Sequence, residues 1–253
     1  MRSSISPSEA PARVRFLTPS RRVAASALMC ALLLVVQFVL SFVPGVELVT
    51  ALFLSFCVLF GARAGVLTAT SFSLLRCFLF GFTPSVIVLY LVYFNAFALF
   101  FGFLGTKKLA AWLCPALLAL LAGGTMCAAL VPMPVSALEL PRIRALAWVL
   151  FGVLCALLVL WAALLRRGEA GRRTAAYAAF AALFTVLFTL LDDVLTPLIY
   201  GWTAEAALAY FYTGFLAMLP QTACAAVSVA LLYPVLARIF LGRAQNAPQT
   251  LDE

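Results

Sequence analysis

A small set of strongly polar side chains lies within a chain that is otherwise mostly apolar. Of the 253 residues, 66% are hydrophobic and only 10% are charged. The groups within the apolar runs that could bind a ligand or carry a proton are acids, amides and one arginine: Gln37, Glu47, Arg76, Asn95, Asp192, Asp193 and Gln221. Such groups are suited to binding a ligand or carrying a proton, whereas a catalytic reaction would need further reactive side chains.

The residues that most enzymes and metal sites need are missing from the sequence. The chain has no histidine, the commonest general base and metal ligand, and its seven cysteines include no CxxC pair. We therefore predict that the protein is not an enzyme, and we expect no metal ion and no cofactor. The chain also lacks a GxxxxGK[ST] loop, so ATP-driven transport would require separate ATPase chains.

Apolar runs of membrane-spanning length recur along the whole chain. A helix of about 20 residues crosses the hydrocarbon core of a bilayer, which is about 30 Å thick. Eight runs approach that length, at residues 23–43, 45–61, 64–82, 86–105, 109–131, 145–165, 174–200 and 209–240. The run at 45–61 is the weakest because Pro44, Gly45 and Glu47 shorten it. The sequence predicts an all-α, polytopic membrane bundle of about eight transmembrane helices.

The positive charges indicate the orientation of these helices. Lys and Arg accumulate in the cytoplasmic loops of membrane proteins. With the N-terminus placed in the cytoplasm, 14 of the 17 cations fall on that side, Arg76 lies within a span, and only Arg142 and Arg144 face outward. This pattern predicts cytoplasmic termini, and it accounts for the net charge of +8 without a nucleic-acid partner.

The organisation that follows is a membrane domain at residues 23–243 between two polar tails. Residues 1–22, with scattered Ser, Pro and Arg, are predicted to form a disordered basic cytoplasmic tail. Residues 244–253 are predicted to form a second cytoplasmic tail.

The strongly polar side chains fall in the outer half of the predicted spans. At about 1.5 Å per helical residue, Arg76 lies roughly 9 Å below the outer end of its helix and Gln221 roughly 18 Å below. A charge inside a bilayer costs about 2.5–3.5 kcal/mol on insertion scales, so Arg76 and at least one aspartate are expected to face protein or water. They are expected to meet.

Two interpretations of this polar layer are open. One is a structural ion pair between Arg76 and Asp192 or Asp193; the other, which we favour, is an outward-opening pocket for a small polar molecule. The pocket hypothesis assigns nine contacts: Glu47, Thr50, Arg76, Tyr90, Tyr93, Asn95, Asp192, Asp193 and Gln221. Glu47 and Thr50 belong to a segment that would close over the ligand.

Several stretches resemble the substrate-binding S component of energy-coupling factor (ECF) vitamin transporters. The first four helices carry "ASALMCALLL", "PGVELVTALFLSFCVLFGARAGVLTATSFSLLRCFLFGF" and "VLYLVYFNAFALFFGFLG". The end of the chain carries "FTLLDDVLTPLIYGW", "AYFYTGFLAML" and "ALLYPVLARIF". The resemblance covers residues 23–106 and 174–243. It implies a six-helix core to which residues 107–173 add an extra pair of helices.

The resemblance also implies a role and partners. An S component in a bacterial cell membrane captures a vitamin or related micronutrient from outside, and then docks onto a membrane T component driven by two ATPase subunits. In that family an Ala-xxx-Ala face on the first helix contacts the T component, and Ala27 and Ala31 occupy the matching positions. The loop after the first helix caps the family's pocket, which corresponds here to residues 44–50.

Other functional classes compete with this interpretation. A self-contained secondary transporter would use Asp192, Asp193 or Glu47 to carry a proton. Against it, the inner halves of the spans contain no strongly polar path. A membrane enzyme would need a nucleophile with an adjacent base, and this sequence offers no such pair. A purely structural membrane protein would use the polar layer for stability alone.

Overall fold

The computed structural model describes residues 18–43, 46–104, 140–166 and 168–245, together with isolated positions between 116 and 130. Seven helices are described: α1 (Pro19–Leu40), α2 (Val49–Phe60), α3 (Ala62–Phe80), α4 (Pro84–Leu104), α5 (Leu140–Leu165), α6 (Gly168–Tyr200) and α7 (Ala204–Gln245). No strand occurs within these ranges. The prediction of an all-helical bundle is confirmed. The count of eight spans and the orientation of the termini stay predictions.

Four of these helices are long and apolar enough to cross a membrane. They correspond to Pro19–Leu40, Pro84–Phe103, Ala170–Tyr200 and Ala204–Phe240, while the apolar parts of α2 and α5 are shorter. These lengths are compatible with a multi-pass membrane protein. The predicted span at 109–131 lies mostly outside the described residues, as do residues 1–17 and 246–253 of the predicted tails.

Several helix boundaries differ from the predicted runs, among them the starts of α1 and α2. α1 begins at Pro19, inside the segment predicted to be a tail, because Thr18 caps it: the Thr18 hydroxyl accepts a hydrogen bond from the Arg21 amide, and proline suits the first helical turn. α2 begins only at Val49, so Glu47 lies in the connection from α1 and not within a helix.

Two glycines allow the sharp connections on either side of α3. Gly61 separates α2 from α3 with φ +87°, and Gly81 ends α3 with φ +95°. A side chain would be strained at these backbone angles, whereas glycine adopts them readily. The three helices α2, α3 and α4 are therefore joined by connections of one and three residues.

The core forms around α2, which packs against α1, α3, α4, α6 and α7. Most of its side chains are buried, and Phe53 is among the largest fully buried groups of the protein. Phe72 of α3, Phe97 and Phe101 of α4 and Phe180 of α6 are equally inaccessible. The side chains that this arrangement brings around the outer end of α2 form the site described below.

The helix α5 packs mainly against α6 and α7, at the side of this core. It belongs to the segment 107–173 that the resemblance treats as an addition. Its described contacts leave α1 to α4, α6 and α7 as a group of six helices that pack on one another.

Candidate ligand-binding cavity

A cavity of about 390 Å³ lies beside the segment that connects α1 to α2. Its walls come from the C-terminal ends of α1 and α3, the first half of α4, and the middle of α6 and α7. The polar groups that line it are Gln37, Ser41, Glu47, Arg76, Tyr90, Tyr93, Thr185 and Gln221. The apolar lining consists of Leu40, Val43, Val46, Leu48, Val49, Phe80, Phe94 and Phe188. This volume is within the range typical of small-molecule sites.

Arg76 is held in the cavity by aromatic rings. Its guanidinium carbon lies 4.0 Å from the centre of the Tyr90 ring and 4.7 Å from the centre of the Phe80 ring. The Arg76 Nε atom is buried and has no hydrogen-bond partner in the described part of the protein. Cation–π contacts stabilise a guanidinium without neutralising its charge. The cavity therefore contains a positive charge that is fixed in place and still available.

Gln37 and Tyr90 form a second polar group on the cavity wall. The Gln37 amide nitrogen donates a hydrogen bond to the Tyr90 hydroxyl at 2.9 Å. The Gln37 Oε1 atom is buried and lacks a partner within the described ranges. Buried polar atoms are nearly always hydrogen-bonded in folded proteins. Together with the Nε of Arg76, this oxygen gives the cavity one unpaired acceptor and one unpaired donor.

Aromatic side chains from α4 and α6 form an edge-to-face wall. The rings of Tyr93 and Phe188 are 4.8 Å apart at 73°, and those of Tyr90 and Phe188 are 5.5 Å apart at 87°. Phe94 packs on Tyr90 and Tyr93 from the same helix. Rings that pack edge to face are fixed by their neighbours, so this wall is rigid.

The connection between α1 and α2 is fastened to α7 through Glu47. The Glu47 backbone N–H donates to the Cys224 Sγ at 3.2 Å. The Ser228 hydroxyl lies 3.3 Å from the Glu47 carbonyl and also contacts the Cys224 carbonyl of its own helix. The Thr50 hydroxyl donates to the Glu47 Oε1 at 2.6 Å. Val46, Glu47 and Leu48 line the cavity, so these contacts hold one side of it closed.

Asp192 and Asp193 do not line this cavity, and they do not meet Arg76. Among the described residues no carboxylate forms an ion pair with Arg76. The prediction that Arg76 meets an aspartate was wrong. The position of a residue along its helix gives its depth in the membrane, but not the direction in which its side chain points. Asp192 instead accepts hydrogen bonds at 2.7 Å from Thr196 and from Tyr210.

Asp193 is buried between α6 and α7. Its side chain is 8% exposed, and its Oδ2 atom has no partner in the part of the chain that the structure describes. A Cβ atom at Gly214 would lie 2.6 Å from the Asp193 Oδ1, so the glycine makes room for this carboxyl.

Asn95 is also turned away from the cavity. It accepts a hydrogen bond from Thr70 of α3 at 3.1 Å and donates one to the Leu91 carbonyl of its own helix at 2.8 Å. Asn95 therefore links α3 to α4. Of the nine predicted contacts, the structure places Glu47, Arg76, Tyr90, Tyr93 and Gln221 around the cavity, with Thr50 bound to Glu47.

Sequence reasoning missed several residues of the site. Phe80, Phe188 and Thr185 line the cavity, but nothing in an apolar helix distinguishes them from core residues. Cys224 and Ser228 carried a usable signal, because with Gln221 they recur at helical spacing on one side of α7.

The two alanines predicted to contact a partner lie elsewhere on the surface. Ala27 and Ala31 are exposed on α1, whereas Ser26, Cys30 and Leu33 form its buried side. The first helix thus leaves a face of small side chains uncovered.

Comparisons with known proteins return no relative for this chain: no family model, no curated protein and no solved structure matches it. Within the described ranges, no group of three or more Cys, Asp or Glu side chains is placed to hold a metal ion. Any functional conclusion must therefore come from the chemistry of the cavity and the resemblance noted in the sequence.

Proposed function

We propose that this protein is the membrane-embedded substrate-binding subunit of an ECF-type transporter. It captures a small water-soluble vitamin or related micronutrient outside a bacterial cell and delivers it through a T component and two ATPase subunits. The supporting observation is the cavity beside the α1–α2 connection, which combines a fixed cation, unpaired polar atoms and an aromatic wall. No chemistry is performed on the ligand.

The α1–α2 connection supports a capture mechanism. Residues 46–48 form one side of the cavity, and three side chains from α2 and α7 hold Glu47. Release of these few hydrogen bonds would open the cavity without moving a complete helix. A ligand that contacts Glu47 or Val46 would in turn stabilise the closed position.

The proposed contact with a T component lies on α1. Ala27 and Ala31 are exposed, and small side chains allow another membrane helix to approach closely. Small residues alone do not identify the partner, so the T component is assigned through the family resemblance.

The deciding experiment is mass spectrometry of the proteins that copurify with the tagged chain after gentle extraction from native membranes. Recovery of a T-type membrane subunit with two ATPases is the expected result. Recovery of the chain alone, under conditions in which a known ECF complex stays intact, would contradict the proposal.

Asp193 favours one alternative function, a self-contained proton-coupled secondary transporter. Its buried carboxyl has an unpaired oxygen and lies beside Asp192, and such groups often carry protons in membrane proteins. Uptake of the copurifying nutrient by the isolated chain in liposomes, driven by a proton gradient and abolished by Asp193→Asn, would establish this alternative.

A further inference from the structure

We propose that the cavity selects molecules that carry an anionic group, a carboxylate or a phosphate, attached to a planar unsaturated ring. The anionic group would bind Arg76, and the ring would lie against the wall formed by Tyr93 and Phe188. This inference rests on the proposed function, because it names the class of molecule that the same cavity takes up.

The charge of Arg76 favours an anionic ligand. Among the described residues, Arg76 is the only Lys or Arg side chain that lines the cavity, and no carboxylate pairs with it. Glu47 also lines the cavity, but it forms no ion pair with Arg76 and its Oε1 already accepts the Thr50 hydrogen bond. Arg76 is partly buried, and an anionic ligand would supply the counter-ion that no described side chain provides.

The geometry of the guanidinium group favours an anion with two oxygens. Its central carbon lies over the rings of Tyr90 and Phe80, and these contacts use the π surface of the group. The five N–H donors of arginine lie in the guanidinium plane and not on its faces. The Nε donor has no partner among the described residues. In-plane donors match the two oxygens of a carboxylate or phosphate.

The aromatic lining of the cavity favours a planar ring. Tyr93, Phe94 and Phe188 bring three rings to the cavity, and edge-to-face packing keeps them in place. Aromatic walls favour a flat ligand that stacks on them over a flexible chain. The unpaired Gln37 oxygen adds an acceptor for a ring N–H or hydroxyl group.

The test uses full-length protein purified in its native lipids and equilibrated with a small-molecule extract of the cells that express it. Compounds that stay bound through gel filtration are released and identified by liquid chromatography and mass spectrometry. We expect a compound with a conjugated ring and a carboxylate or phosphate. Phosphatase treatment distinguishes the two anions, because it removes only the phosphate.

Two variants on the same helix measure the role of the charge. Arg76→Gln should reduce the amount of retained compound about tenfold or more, since charge-assisted hydrogen bonds are lost. Arg63→Gln, which alters an exposed arginine at the other end of α3, should retain as much compound as the unchanged protein. Equal retention by Arg76→Gln and Arg63→Gln would overturn the inference.

A second measurement does not depend on the folding of any variant. The retained compound and its neutral ester are compared for binding to the unchanged protein, and the ester should bind about tenfold more weakly or worse. A retained compound that is cationic, or whose ester binds equally well, overturns the anion inference while the proposed capture function stands. If nothing is retained, the capture function fails together with it.

Discussion

At the scale of single residues, Tyr90 supports two polar neighbours at once. Its ring lies under the Arg76 guanidinium, and its hydroxyl accepts the only hydrogen bond described for the Gln37 amide. Substitution of this one side chain can therefore separate the two contributions.

We expect Tyr90→Phe to destabilise the protein by about 1–3 kcal/mol, because the Gln37 amide nitrogen is left buried without an acceptor while the ring under Arg76 remains. Thermal unfolding in detergent measures this. The matched control is Tyr93→Phe, since no hydrogen bond of the Tyr93 hydroxyl is found in the described part of the chain, and it should unfold close to the unchanged protein. Equal losses for both variants would contradict the assigned role of Tyr90.

A second residue-scale prediction concerns the fastening of Glu47. Ser228→Ala removes the hydroxyl that lies 3.3 Å from the Glu47 carbonyl and that also contacts the Cys224 carbonyl of its own helix. A hydrogen bond to the Glu47 carbonyl would be worth about 0.5–1.5 kcal/mol. The retained ligand should then dissociate about two- to tenfold faster, which a filter-binding chase with labelled ligand measures. Thr213→Ala is the control on the same helix, because the Thr213 hydroxyl bonds only to its own helix at the Ala209 carbonyl. An unchanged dissociation rate in Ser228→Ala would show that this contact does not hold the cavity closed.

The residue types predicted which side chains need a polar environment. Their positions along the helices predicted that most of these polar side chains lie at a similar depth, in the outer half of the spans. Arg76, Tyr90 and Gln221 share a cavity in agreement with this. Direction around each helix could not be predicted, because it depends on which neighbours pack against which face. Asp192 satisfies its oxygens with Thr196 and Tyr210, and that local solution was not visible in an apolar sequence.

At the scale of elements, α3 and α4 approach so closely that one glycine is required. A Cβ atom at Gly102 would clash with the backbone nitrogen and Cα of Ala62. Backbone atoms cannot move aside as the tip of a flexible side chain can. The first turn of α3 is therefore set by the absence of a side chain at residue 102.

We expect Gly102→Ala to destabilise the protein by about 1–3 kcal/mol through this overlap, and thermal unfolding measures the loss. Gly152→Ala on α5 is the opposite case, since a Cβ there meets nothing within 4 Å. In a helix interior, alanine is better than glycine by about 0.5–1 kcal/mol, so this variant should be neutral or more stable. A Gly102→Ala protein that unfolds no earlier than Gly152→Ala would show that the helices can separate at no cost.

Hydrophobic runs predicted most helices but not all of their ends. The run from residue 45 suggested a longer second span, whereas α2 has 12 residues and extends for about 18 Å. Apolar residues continue through Val46 and Leu48, so hydropathy alone could not show that Glu47 is held by α7 in a non-helical connection. That connection is what closes the cavity.

At the scale of the whole molecule, the face of α1 and the cavity lie apart, and their functions can be separated by substitution. Ala27→Leu with Ala31→Leu places bulk on the exposed face of α1. If this face docks on a T component, ATP-dependent uptake should fall about tenfold or more, since helices that cannot approach closely lose their packing contacts. Ligand binding by the isolated chain should stay unchanged.

The control for this pair is Ala96→Leu, which alters an exposed alanine on α4. Uptake and copurification of the ATPases should both survive this substitution. Full uptake in the α1 variant would remove α1 from the docking surface.

The phenylalanines that follow the cavity along α4 have an electrical consequence. Phe97 and Phe101 pack on Phe184 at 5.2 and 5.4 Å, and Phe53 stacks on Phe97 at 5.5 Å, one to two turns beyond Tyr93. If the chain spans a membrane as proposed, such a layer would offer ions no hydration, and the chain would not short-circuit the membrane potential whether its cavity is filled or empty. Under the proposed capture function, a cell could hold many copies ready for a scarce nutrient without a leak current, and energy would be spent only when a molecule is moved.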